Sequence, residues 1–98
     1  MKASLEKIYL YFDRPFIFTL KGSDKKRYVG FCYDAKNDKS LYACRRLGFL
    51  DFLLLRFSLT KFIKKSKGWN NWFKLNCVDE KYFDIDFQDC ISIWKENK

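Results

Sequence analysis

From Arg46 to Lys65 the chain reads RLGFLDFLLLRFSLTKFIKK, its longest stretch poor in turn residues. Apolar side chains at Leu47, Phe49, Leu50, Phe52, Leu53, Leu54, Leu55 and Phe57 point in nearly every direction around a helical axis. This pattern predicts a helix from about Gly48 to Phe57, buried on most sides, with Leu50, Leu53 and Leu54 in the core. Asp51 and Arg56 mark where it meets water. Ser58 reads as an N-cap opening a short second helix, Leu59 to Lys65. Lys61, Lys64, Lys65 and Lys67 gather at its C-terminal end, where cations favour the helix dipole. Gly68 is placed to stop it.

The flanking segments carry the two-residue period of strands. Phe16 to Lys21 sets Phe16, Phe18 and Leu20 on one face and Ile17 and Thr19 on the other. Residues 22–26, Gly-Ser-Asp-Lys-Lys, form a hairpin loop leading to a second strand, Arg27 to Asp34. Gly30 within it signals a bulge or a close contact with the helix. A loop over residues 35–39 leads to a third strand, Ser40 to Arg45. Trp72 to Val78 is a fourth strand and Tyr82 to Phe87 a fifth. Asp89 to Trp94 is a short strand or helical turn, and the IYLYF run within residues 1–13 fits a strand or a turn of helix. Arg14-Pro15 turns the chain, because proline holds its predecessor extended. The expected fold class is α+β: an antiparallel β-meander, formed mainly by residues 16–45 and 72–78, with one main helix and a short second helix packed on one face.

Composition changes this picture little. Ninety-eight residues make one domain, residues 1–98,. A chain of that size buries roughly 60 to 70% of its unfolded surface, so a core forms without disulfide or metal. Phe, Tyr, Ile, Asn, Lys and Met supply 44 of the 98 residues. AT-rich coding produces that bias too, so part of the aromatic and lysine excess is explained without function. No continuous apolar leader opens the chain, and the run from Leu47 to Leu59 is too short to span a bilayer. A cytoplasmic protein, without membrane association, is the expectation. Cys32, Cys44, Cys77 and Cys90 then read as reduced thiols in or near the core.

Charge is more informative. The net charge is +8, unevenly distributed. Arg14 to Lys74 holds 15 basic and 4 acidic residues, a net of +11, whereas Asp79 to Lys98 holds 3 basic and 6 acidic, a net of −3. A basic body attracts polyanions.

The chain has no histidine, which excludes Ser-His-Asp and Cys-His nucleophile pairs. The cysteines lie 12, 33 and 13 residues apart, without the close pair that structural zinc sites usually carry. Asp84 and Asp86 share a strand face, near Asp89 and Glu80, and could hold Mg²⁺ for phosphodiester cleavage. The competing reading of these acids is a solvated face. No glycine-rich phosphate loop is present. No cofactor and no catalytic residue is expected. The strongest constellation is basic: Arg45, Arg46, Lys61, Lys64, Lys65 and Lys67, with Trp69 as an aromatic anchor in the loop after Gly68. Cations beside aromatics hold phosphates and stack bases. The competing reading is that lysines solubilise an apolar helix while tryptophans fill the core.

Several segments together resemble a domain of unknown function found in small bacterial proteins. They are Asp13-Arg14-Pro15-Phe16-Ile17-Phe18, the Leu41-Tyr42 pair, the leucine-rich helix, Ser58-Leu59-Thr60-Lys61-Phe62, and Trp72-Phe73-Lys74-Leu75. The resemblance covers roughly residues 8 to 78 and implies the fold, with no catalytic residues. In general character the chain is similar to phage-encoded inhibitors of bacterial defence, of the anti-CRISPR kind. The functional expectation is a non-enzymatic protein that binds a CRISPR effector or other nuclease, or its bound RNA or DNA. The alternatives are a direct nucleic-acid-binding protein and a small Mg²⁺-dependent nuclease.

Overall fold

The computed structural model describes residues 1–11, 15–36, 39–79, 81–91 and 93, the side chain of Lys36 excepted. Eight elements follow in order: β1 (Lys2–Tyr11), β2 (Pro15–Gly22), β3 (Arg27–Lys36), β4 (Lys39–Arg46), α1 (Phe49–Phe57), α2 (Leu59–Ser66), β5 (Trp72–Asp79) and β6 (Tyr82–Ile91). The expected Arg14-Pro15 turn falls partly outside the described residues, as do the loop at 37–38, Glu80, and the Trp94 end of the last expected element.

Each strand pairs antiparallel with the next, and β6 pairs back with β1, closing a six-stranded barrel in sequence order. This corrects the expected α+β meander organised around a main helix. The difference arises at the two ends of the chain. The ambiguous N-terminal run is a ten-residue strand. The last strand runs on through Asp89 and Cys90 to Ile91. These two strands supply the edges that closure needs, and closure removes the unpaired edges of an open sheet.

The strand alternation separates two cores. Phe18, Leu20, Tyr28, Cys44, Leu75, Phe83 and Ile85 point into the barrel. Ile17, Val29, Phe31, Ala43 and Trp72 point outward, and Leu47, Leu55, Phe62 and Ile93 cover them. β2, β3 and β4 are thus buried on both faces along much of their length. Inside the barrel, the Phe18 ring stacks on Phe83 at 5.2 Å and meets Tyr42 edge-on at 5.6 Å. Phe18 lies directly opposite Gly30 in the ladder. A Cβ on Gly30 would fall 2.4 Å from the Phe18 ring, so this glycine accommodates a close contact with Phe18 and not with a helix.

α1 is far less buried than its composition predicts. Only Leu55 is buried within it, while Phe49, Leu50 and Phe57 are 72%, 77% and 78% exposed. Leu53 and Leu54 are half-buried. The aromatic side chains of the strands fill the barrel, leaving α1 one narrow face to cover. Ser58 does separate the helices, yet its side chain makes no capping hydrogen bond. α1 is fastened by Arg27 of β3, which donates to both Glu6 carboxylate oxygens at 2.8 and 3.0 Å. The same guanidinium lies 4.0 Å from the Phe52 ring centroid, so one residue joins β1, β3 and α1.

Leu55→Ala should cost about 2 to 5 kcal/mol of unfolding free energy, and Leu50→Ala less than about 0.5 kcal/mol. Urea unfolding of the pair measures the contrast, and equal losses would contradict this placement of α1. The Arg27 hydrogen bonds hold the Glu6 carboxyl below its ordinary value. A depressed carboxyl contributes stability above its unfolded-state value, lost as pH falls through the folded-state one. Glu6→Gln should therefore cost about 0.5 to 1 kcal/mol at pH 7, discounted because both partners are about a third exposed,. The difference from the native chain should shrink as pH falls through the ordinary carboxyl range and vanish once pH passes below the lowered folded-state value,.

Candidate polyanion-binding cleft

β4 ends in Arg45 and Arg46, which align with Val29 and Tyr28 of β3. The chain then leaves the barrel for the two helices and returns through residues 67–71. That return loop is anchored by its aromatics. Trp69 meets Phe62 edge-on at 5.4 Å and tilts against Trp72 at 5.9 Å. Trp72, wholly buried, donates its indole N–H to the Trp69 carbonyl at 3.3 Å. Asn71 takes a left-handed conformation, φ 61°, one that Asn adopts more readily than most residues. Between the end of β4 and this loop lies a cleft of about 460 Å³, lined by Arg45, Arg46, Gly68, Trp69, Asn70, Asn71 and Phe73.

Arg45 is oriented from two sides. Its guanidinium lies 5.2 Å from the Trp69 ring centroid and donates to the Asn70 carbonyl. A guanidinium carries five N–H donors, so donors remain for a ligand while the side chain is held in place. Arg46 is exposed beside it. Two arginines at one cleft suit a phosphate or carboxylate, which accepts paired N–H bonds from a planar fork.

The structure thus brings together Arg45, Arg46 and Trp69 of the expected site. Trp69 is half-buried between Phe62, Trp72 and Arg45, so it supports the cleft more than it offers a free ring. Lys61 and Lys64 are exposed on α2. Lys65 is tied to Asp51 of α1 at 2.6 Å, which pins the start of α1 beside the end of α2. Lys67 is exposed next to the cleft loop. Sequence reasoning missed Asn70, Asn71 and Phe73. The Asn-Asn pair between two tryptophans was the signal available for a tight turn. A larger groove, about 680 Å³, opens where β4 and β5 diverge and contains Lys39 and Lys74. It has no arginine, and its cations are not held against an aromatic ring, so the smaller cleft is the stronger candidate.

The acidic alternative is more dispersed. Asp84 receives the N-terminal ammonium at 3.2 Å, and Asp86 accepts the Gln88 backbone N–H at 3.0 Å. Among the described residues no three His, Cys, Asp or Glu side chains gather as a metal would require. Also among them, no helix is long and apolar enough to cross a membrane. Comparison with family models, curated proteins and solved structures returns no match for the chain.

No disulfide joins the four cysteines. Cys32 and Cys44 are buried, and burial pushes the Cys44 thiol up to about 12. Cys77 and Cys90 are exposed instead of in the core. Partial burial, followed by the Asp79 carboxylate, raises the Cys77 thiol. Thiol titration of the native chain without reductant should therefore return two rapidly reacting groups, rising to four after unfolding. Four rapid thiols in the native state would contradict the packing of β3 and β4.

Proposed function

We propose that the chain is a non-enzymatic binding protein that occupies a nucleic-acid-handling protein, or the RNA or DNA that protein holds, through the basic surface around this cleft. In this reading it is an inhibitor of the kind phages direct against bacterial CRISPR or other defence nucleases, acting in the host cytoplasm. The observation that carries the proposal is Arg45, preoriented by Trp69 and the Asn70 carbonyl beside exposed Arg46. A cation fixed before binding loses less side-chain entropy when it meets a phosphate or carboxylate. The exposed Lys61 and Lys64 extend the positive field beyond the cleft and speed encounter with an anionic partner. Base stacking is a weaker part of the reading, because the neighbours of Trp69 already occupy much of its surface.

The test uses Arg46→Glu, Lys61→Glu and Lys64→Glu combined, since all three side chains are exposed. Lys65 is left intact because glutamate there would face Asp51. The native chain, immobilised, should retain a nucleic-acid-handling protein from bacterial lysate, and the triple variant should retain at least about tenfold less. Repeating the capture after nuclease digestion, and measuring affinity for bare single-stranded DNA and RNA, distinguishes a protein partner from direct nucleic-acid binding. Phosphate contacts should give an affinity that falls steeply with salt. Equal capture by the native and triple-variant chains would remove the cleft from the mechanism.

A further inference from the structure

At about 100° of rotation per residue, Phe49, Leu53, Phe57 and Leu50 fall within one arc of roughly 100° on α1. The centre of that arc is opposite buried Leu55, so it forms the outer crest of the helix. Phe49, Leu50 and Phe57 are each more than 70% exposed there, whereas large apolar side chains normally seek cover. The spacing is also symmetric. Phe49 and Phe57 stand four residues to either side of Leu53, forming an i±4 ridge about 12 Å long.

We propose that the chain pairs with a second copy of itself through this crest. A two-fold contact needs a patch complementary to its own rotated image. Two antiparallel α1 helices centred on Leu53 set each Phe49 against the partner's Phe57 and Leu53 against its equivalent. Ridges of this type cross at about −50°. Charge permits the contact: Asp51 lies outside the arc and is held by Lys65, and the two Arg56 side chains fall about 9 Å apart along the axes. Area also permits it. Phe49 and Phe57 present roughly 300 Å² together, and Leu50 with the exposed parts of Leu53 and Leu54 bring the crest to roughly 500 Å². Two copies then bury at most about 1,000 Å², the size of a weak, exchanging interface and not of a permanent one. An acidic protein groove or an anionic membrane would also meet an apolar crest with cations nearby. Neither calls for a palindromic ridge.

This proposal goes beyond the function of the cleft, and salt separates the two. Each copy carries a net charge of +8. Added salt screens that repulsion, so dimerisation should tighten as salt rises while polyanion binding weakens. Sedimentation equilibrium from about 1 to about 300 µM should show monomer and dimer in exchange. Phe57→Asp should raise the dissociation constant about 30-fold or more, and Leu50→Asp should do the same independently. Circular dichroism should show both variants folded, because neither side chain lies in the core. The variants should keep the per-chain polyanion affinity of the cleft. A chain monomeric throughout, a dimer indifferent to both substitutions, or a dimer weakened by salt would overturn the proposal. So would a monomer that co-sediments with phosphatidylserine vesicles through Phe57, which would assign the crest to a lipid surface.

Discussion

The Phe18 ring fills the space that a side chain on Gly30 would need, and the remainder of the barrel interior is arranged around that contact. β2 and β3 place the two residues directly opposite each other. The ring then reaches Phe83 on β6 and Tyr42 on β4, so one side chain ties together four of the six strands. A narrow barrel of aromatic strands faces a volume problem, because inward-pointing rings compete for the axis. A missing Cβ at one position resolves it without breaking the ladder. With the interior filled this way, the helices are left to cover the outer face of β2–β4.

That division of labour explains how much of the fold was legible. The alternation in Phe16–Lys21 assigned both faces of β2 correctly, and the hairpin joining it to β3 was signalled by its turn residues. The helix boundaries at Ser58 and near Phe57 were also readable. Closure was not. It depends on pairing between residues 2–4 and 82–84, and nothing local in either segment announces a partner some eighty residues away. The burial of α1 was misjudged for a related reason. An all-apolar helix normally signals enclosure, but composition cannot distinguish enclosure in a core from a face left uncovered. Leu54 and Leu55 are indistinguishable in sequence, and only the rotation of the helix decides which one is buried.

The candidate site was legible in its ingredients and not in its arrangement. Arg45, Arg46 and Trp69 were identified from charge and from the glycine before the tryptophan, although more than twenty residues separate the arginines from the ring. The helix pair, bridged from Asp51 on α1 to Lys65 on α2, carries the chain back to the end of β4. Of the lysines in the basic constellation, Lys65 serves that bridge. The role of Trp69 also changed. It organises Arg45 and the loop, which is a support role that an isolated aromatic in a sequence does not reveal.

Among the described residues, β1 meets β6 over three residue pairs and β4 meets β5 over three, while the β5–β6 ladder itself runs to seven. In terms of cooperativity, the barrel is a four-stranded sheet closed by a two-stranded panel with a short seam on either side. Cooperative units of unfolding follow such seams. The β5–β6 panel is then the unit whose amides exchange with solvent through partial opening, before the four-stranded sheet gives way. Trp72 and the loop of the cleft lead directly into that panel, so the geometry that holds Arg45 is coupled to the least cooperative part of the barrel. A ligand bridging Arg45, Arg46 and the loop would clip the panel shut, and its binding would be read as slowed exchange along a seam that it does not touch.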